Sequence, residues 1–172
     1  SQLPRPNAPG GDGLNTSGYV FNASSSEKRN QFVYKSDYYL GSKHSFSGSY
    51  NYVTAPTNRP DVTASFYTTE PNVRVTNGNH TASFQWRWAA SPTFTNELHG
   101  GLARSGANFD VKVPYTKSVL AGLVFTNPSN TFLAQGRRSN AYPIQDNATW
   151  IKNNHQVLFG YQYQRIAVTP FN

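Results

Sequence analysis

Thr81-Ala82-Ser83-Phe84-Gln85-Trp86-Arg87-Trp88-Ala89 puts Ala82, Phe84, Trp86 and Trp88 on one side of an extended chain and Thr81, Ser83, Gln85 and Arg87 on the other, because successive side chains of a strand point to opposite faces. One face is oily and aromatic, the other hydrophilic. The pattern recurs: Phe32, Tyr34 and Tyr38 oppose Lys35 and Asp37, and Phe46, Gly48, Tyr50 and Tyr52 oppose Ser45, Ser47, Ser49 and Asn51. Further on, Val157, Phe159, Tyr161 and Tyr163 oppose Gln156, Gln162 and Gln164, with Leu158 and Gly160 interrupting. The inward face of a soluble sandwich is led by Val, Ile and Leu. Aromatic residues opposite small polar ones favour lipid outside and water inside.

Three short turns, Leu40-Gly41-Ser42-Lys43, Ala90-Ser91-Pro92-Thr93 and Ile151-Lys152-Asn153-Asn154, each join two such stretches. Each stretch is about ten residues long, enough for one tilted membrane crossing. The other connections, Val53 to His80 and Arg104 to Asn140, are long and rich in Pro, Asn, Ser, Thr and Gly, which counts against an ordinary compact domain. Tight periplasmic turns alternating with long extracellular loops are the rule in outer-membrane barrels. The fold expected is all-β: a segment of an antiparallel transmembrane β-barrel with about six strands, in the bacterial outer membrane. Residues 1–29, with Pro4, Pro6, Pro9 and Gly10-Gly11-Asp12-Gly13, read as a loop or extended lead-in. Residues 30–172 form the partial barrel, with hairpins at about 30–52, 81–103 and 141–165. Within the long loops, Val62 to Tyr67 and Val73 to Val75 are expected to extend strands above the membrane, and Asn77-Gly78 to form a tight turn.

The chain has 172 residues, no Cys and no Met. Lack of Met leads us to expect a segment of a longer product. Lack of Cys excludes a disulfide framework, thiolate metal ligands and a cysteine nucleophile. No apolar run reaches the length of a transmembrane helix, which a strand-built membrane protein does not need. The net charge of +7 would suit nucleic acid if the cations clustered. They are dispersed through the connecting segments without a recognition motif, so no nucleic-acid partner is expected.

Leu3-Pro4-Arg5-Pro6-Asn7, Gly13-Leu14-Asn15, Tyr19-Val20 and Asn30-Gln31-Phe32, followed by Asp37-Tyr38 and Ser42-Lys43-His44, form the first part of an ordered series of short motifs. Ser91-Pro92-Thr93 with Asn96-Glu97, and Tyr142-Pro143-Ile144-Gln145-Asp146-Asn147 running through Trp150 to Asn154-His155-Gln156-Val157-Leu158-Phe159-Gly160, complete it. The series resembles the barrel of TonB-dependent outer-membrane receptors, in the subgroup with a carboxypeptidase regulatory-like N-terminal domain. The resemblance implies a 22-stranded barrel with a plugged lumen that takes up a scarce substrate with energy from the TonB complex. The chain shows no plug domain and no TonB-interacting box. Its implied partners are therefore outer-membrane lipid, the rest of the parent barrel and its plug, the TonB complex reached through the parent, and a transported substrate that the sequence does not identify. The main rival is a soluble, aromatic-rich β-sandwich that binds carbohydrate; a third reading is a small barrel or adhesin made from several chains.

Candidate residues follow from the two faces. Lys35, Asp37, Arg87, Glu97 and His99 are candidates for the lumen, where charge tunes what passes. Neighbouring-strand ion pairs are the plainer role for them. Tyr38, Tyr50, Tyr52, Trp86, Trp88 and Trp150 are candidates for aromatic girdles at the membrane interfaces. Arg59, Asp61 and Arg74, and Arg104, Asp110, Lys112, Arg137 and Arg138, lie in the long connections as candidates for anion capture or for contact with lipid phosphates. Catalysis has little support: His44, His80, His99 and His155 lack metal-ligand spacing, no nucleophile elbow is present, and no cofactor is implied. Asp37 and Glu97 would be paired carboxylates only if the fold brought them together.

Overall fold

The computed structural model describes residues 5–12, 14, 17–22, 24–62, 73–112 and 132–172. They form one antiparallel sheet. In chain order the strands are β1 (Asn30–Leu40), β2 (His44–Thr54), β3 (Thr57–Asn58), β4 (Val73–Ser91), β5 (Phe94–Val111), β6 (Gln135–Lys152) and β7 (His155–Phe171). A 3₁₀ turn, Pro60–Val62, follows β3. The order across the sheet is β1-β2-β4-β5-β6-β7, each strand beside its sequence neighbour, with β3 against β4. The sheet is not closed: among the described residues no strand pairs with the outer edge of β1 or of β7.

The turns are tight because their residues permit it. Leu40 pairs with His44, leaving Gly41-Ser42-Lys43 as the turn, and Gly41 has φ 61°, a conformation that costs glycine little. Lys152 pairs with His155 around Asn153-Asn154; Asn153 has φ 55°, tolerated by Asn better than by most residues. Pro92-Thr93 joins β4 to β5, with Ser91 paired to Phe94 and a bulge between Ala89 and Ser91. Successive hairpins are staggered. His44 lies opposite Trp88 while β4 continues to Ser91, and Phe94 lies opposite Trp150 while β6 continues to Lys152. Such a progressive offset is the shear that tilts strands in a barrel wall.

The first hairpin, expected at about 30–52, spans 30–54, whereas those expected at about 81–103 and 141–165 extend to 73–111 and 135–171. The strands of the second and third hairpins are 17 to 19 residues long. At about 3.3 Å per residue β4 extends roughly 60 Å, well beyond a bilayer core of about 30 Å. Hydrogen bonding of the ladder overrides polar composition here, so residues assigned to loops are strands. Asn77-Gly78 is one of them: Asn77 pairs with Ala107 and Gly78 with Gly106 inside the β4–β5 ladder. Neither adopts the positive φ that a tight turn would need. Val73 to Val75 is strand as expected, whereas residues 63–67 lie outside the described residues.

The outer end of the sheet keeps one register across a proline break. Val53 pairs with Asn79 in the β2–β4 ladder, and Thr57, four residues on, pairs with Val75, four back. Pro56 has no N–H to donate, and Asn77 holds the gap by accepting from the Ala55 N–H through Oδ1 at 2.7 Å and from Thr54 Oγ1 through its carbonyl at 2.8 Å. Residues 26–28 continue the line of β1, with Glu27 bridged to Thr57.

Only four apolar side chains among the described residues are buried: Ala55, Val73, Val75 and Ala148. By contrast Tyr38 is 60 % exposed and Tyr161 67 %. A single layer with almost no core is not a sandwich; no second sheet lies among the described residues.

Gly160 lies in the β6–β7 ladder opposite Asn147. A Cβ there would sit 2.5 Å from the Asp146 carbonyl oxygen and 2.8 Å from Asn147 Oδ1. Gly160→Val is therefore expected to destabilise the hairpin by about 1–3 kcal/mol, lowering the temperature at which the outer-membrane protein loses its compact mobility on semi-native gels. Asn153→Gly, which keeps the turn conformation, should leave that temperature within a few degrees of the parent's.

Candidate functional site

The pairing carries the alternation across the whole sheet in one phase. Phe32 pairs with Tyr52, Tyr52 with His80 and His80 with Arg104. Nearer the turns, Tyr38 pairs with Phe46, Phe46 with Trp86, Trp86 with Leu98, Leu98 with Asp146 and Asp146 with Tyr161. Partners in an antiparallel ladder share a face. All six girdle candidates, Tyr38, Tyr50, Tyr52, Trp86, Trp88 and Trp150, therefore lie on one face; all five lumen candidates, Lys35, Asp37, Arg87, Glu97 and His99, lie on the other.

The aromatic face has two ring clusters on β1, β2 and β4. Near the turns, Tyr38 stacks on Phe46 at 6.4 Å, Phe46 on Trp86 at 6.2 Å and His44 on Trp88 at 6.2 Å. The Trp86 indole donates to His44 Nδ1 at 3.2 Å. Toward the far end, Phe32 approaches Tyr50 at 6.5 Å and Tyr52 approaches His80 at 4.7 Å. Tyr50 Oη lies 2.7 Å from His80 Nδ1. Ser36 and Gly48, a cross-strand pair, separate the two clusters. On β4 the same row holds Phe84, whose ring approaches Phe46 at 6.4 Å.

The polar face is organised into cross-strand rows. One runs Asp37, Ser47, Gln85, His99, Gln145, Gln162 from β1 to β7. The charges fall into two groups on either side of the serines of β2. Lys35 Nζ lies 3.4 Å from Asp37 Oδ2 along β1. Arg87 Nε lies 3.4 Å from Glu97 Oε1 across the β4–β5 ladder, and His99 Nε2 lies 3.6 Å from Glu97 Oε2. With these side chains more than a third exposed, each pair is worth at most about 1 kcal/mol. Three strand spacings of about 4.8 Å separate β1 from β5, and Glu97 is two residues, about 7 Å, along the strand from the row of Asp37, so the two positions are roughly 16 Å apart. That is beyond the separation of a working carboxylate pair, and the fold does not bring them together.

Two features escaped the sequence. Asp146 sits on the aromatic face, where it accepts from Asn96 Nδ2 at 2.9 Å; the signal was the unbroken polar run Gln145-Asp146-Asn147, which leaves no apolar residue for that face. At the outer end of the polar face, Val73, Val75 and Ala55 are covered, Phe109 packs on Phe132 at 5.9 Å, and the Arg59 guanidinium stands 5.6 Å over the Phe109 ring. The described residues next to β3 and β6 thus pack over the outer end of the polar face.

The charged residues assigned to the long loops divide differently in the structure. Arg74, Arg104, Asp110, Arg137 and Arg138 stand on strands, while Lys112 follows β5 and Arg59 and Asp61 flank Pro60. Arg59 Nε and Nη2 donate to Asp61 Oδ1 and Oδ2 at 2.7 and 2.6 Å. That shared pair of hydrogen bonds holds the Arg59 pKa above, and the Asp61 pKa below, their ordinary values. Among the described residues no group of three His, Cys, Asp or Glu side chains is placed to hold a metal ion.

An open, staggered, antiparallel sheet with one aromatic face and one hydrophilic face is the wall of a membrane β-barrel. Residues 1–172 match the family of the outer membrane beta barrel domain, and the chain belongs to that family, which places it in the bacterial outer membrane. No curated protein matches it.

The Arg59–Asp61 pair sets a pH dependence. Since the Asp61 pKa is lowered on folding, its contribution is present above the ordinary value of 3.8 and is lost as pH falls through the lowered one; Arg59 stays charged throughout. The pair holds the segment whose Arg59 N–H donates to the Val73 carbonyl at 2.9 Å. Asp61→Asn should therefore speed hydrogen exchange in residues 57–62 severalfold at pH 7 when compared with the parent at the same pH. That difference should vanish once the pH falls below the lowered Asp61 value.

Proposed function

We propose that the chain is part of the wall and outer mouth of a TonB-dependent transporter, with the aromatic face toward lipid and the polar face toward the lumen. The observation that carries the larger-barrel part of this reading is the open sheet. Six long strands leave the backbone groups on the outer edges of β1 and β7 unpaired, and a bilayer core supplies no water to satisfy them. Further strands on both edges remove that cost, and large barrels of this class hold a plug. The TonB assignment rests on the ordered motifs from Leu3 to Gly160.

In this reading Lys35, Asp37, Arg87, Glu97 and His99 line the lumen with the Gln85, Gln145 and Gln162 row. Their hydrogen-bonding capacity faces a plug domain or a passing polar substrate. Tyr38, Trp86, Trp88 and Trp150 form the periplasmic girdle, and Tyr50 and Tyr52 the outer one. The wall itself carries no reaction: its work is to position the lumen and the mouth while energy arrives through the parent's plug.

Antibodies raised against the chain, used on cross-linked outer membranes of the source cells, test the assignment. The expected result is a polypeptide far larger than 19.1 kDa that cross-links to TonB. A band near that mass, or a large polypeptide with no TonB adduct under conditions that capture other receptors, would overturn it.

A further inference from the structure

A hollow of about 320 Å³ opens on the aromatic face beyond the last aromatic rings of β2. Its floor is the cross-strand pair Gly78 and Gly106. His80 and Arg104, paired across β4 and β5, lie on the turn side, and Thr76 and Asn108, also paired, on the outer side. Arg138, opposite Gly106, closes the flank. Arg104 and Arg138 are diagonal neighbours, since Arg104 pairs with Asn140, two residues from Arg138. Their Cβ atoms are therefore about 7–8 Å apart, within reach of one anion for side chains of this length. Both are exposed, and no carboxylate among the described residues pairs with either.

The position of the hollow selects its ligand. His80 touches Tyr50 and Tyr52 of the outer aromatic cluster, and on Arg104's own face the preceding residues are Leu102, Gly100 and Leu98. On β4 and β5 the cations thus begin where the apolar residues end, and on β7 Arg165 stands one row lower. A second hollow of about 490 Å³, lined by Tyr142, Ile144, Tyr163, Arg165 and neighbours, lies just on the membrane side of the first; Tyr142 pairs with Arg165. A hollow with two arginines at the headgroup level, above one lined mainly by Tyr142, Pro143, Ile144, Tyr163 and Ala167 with Arg165 toward its upper edge, matches an amphiphile with a phosphorylated head. A transported substrate would pass along the opposite face.

We propose that Arg104 and Arg138, with His80, form a binding site on the outer wall for the phosphate of an outer-leaflet lipid headgroup. Two guanidiniums supply forked donors suited to phosphate oxygens. The glycine floor leaves room for the headgroup to approach the backbone. At its outer rim Asn108 adds a neutral polar group, while the Thr76 hydroxyl is donated to the Asp110 carboxylate at 2.9 Å, which marks the outer limit of the site. The inference rests on the aromatic face being the lipid face.

The test uses the intact outer-membrane protein, purified in mild detergent, stripped of lipid and titrated by native mass spectrometry. The probes are phosphorylated outer-leaflet lipid from the source cells, the same lipid after phosphatase treatment, and inorganic phosphate alone. The parent protein should bind the phosphorylated lipid at least fivefold more tightly than the dephosphorylated one. R104Q/R138Q should lose that preference. G106V should lose it too with both arginines intact, because Gly106 accepts a Cβ with its nearest neighbour, the Arg137 carbonyl oxygen, at 3.8 Å, and the added side chain fills the floor. K43Q/K152Q, which removes two cations near the turns, should keep it. Unchanged preference in R104Q/R138Q, equal loss in K43Q/K152Q, or inorganic phosphate binding as tightly as the lipid would overturn the proposal. A label at Leu102→Cys separates the two levels of failure. Quenching by a lipid-borne nitroxide without phosphate preference overturns the site alone, whereas no quenching overturns the lipid-face reading beneath it.

Discussion

One unbroken phase of strand pairing governs this molecule. Because side chains alternate with a period of two, a slip of one residue between any two strands would carry tyrosines and tryptophans into the polar face and serines and glutamines into the aromatic one. Six strands paired in phase, from Phe32 and Lys35 on β1 to Tyr161 and Gln162 on β7, turn local alternation into two continuous surfaces. The same ladders satisfy the backbone where water is absent, which is the condition for a sheet to lie in a bilayer. A conventional hydrophobic core is not needed: most of the sheet's aromatic residues share one face, while Val33, Tyr39, Leu158, Ile166 and Val168 stand exposed on the other, and three of the four buried apolar residues, Ala55, Val73 and Val75, gather at the outer end.

This arrangement explains why the charged pairs of the polar face contribute little to holding the sheet together. Arg87, Glu97 and His99 sit in a solvated row between backbone ladders, where an exposed ion pair adds at most about 1 kcal/mol. Their position matters more for what the row presents than for stability. The described segment after β3 has the opposite role. Arg59, held by Asp61 and resting on Phe109, fastens the segment after β3 over the outer end of the polar face.

Faces and short turns were legible in the sequence because both depend on local rules. Alternation from Thr81 to Ala89 places each side chain without knowledge of its neighbours, and Gly41, Pro92 and Asn153 mark chain reversals by their backbone preferences. Strand length was not legible. Asn77, Gly78 and Gly106 look like loop residues, and only pairing between β4 and β5 makes them strand. The same limit applies to Asp37 and Glu97: sharing a face is a period-two property, but their separation depends on which strands intervene. Asp146 marks the remaining gap, since a carboxylate on the aromatic face is intelligible only after Asn96 is found beside it.

The most direct test of the central claim is a nitroxide scan of residues 81 to 89 in the intact protein in outer-membrane lipid, measuring collision with oxygen and with a water-soluble nickel chelate. The account predicts that labels at 82, 84, 86 and 88 collide mainly with oxygen, and those at 81, 83, 85 and 87 mainly with the chelate. Uniform access along the stretch, or a repeat other than two, would contradict it.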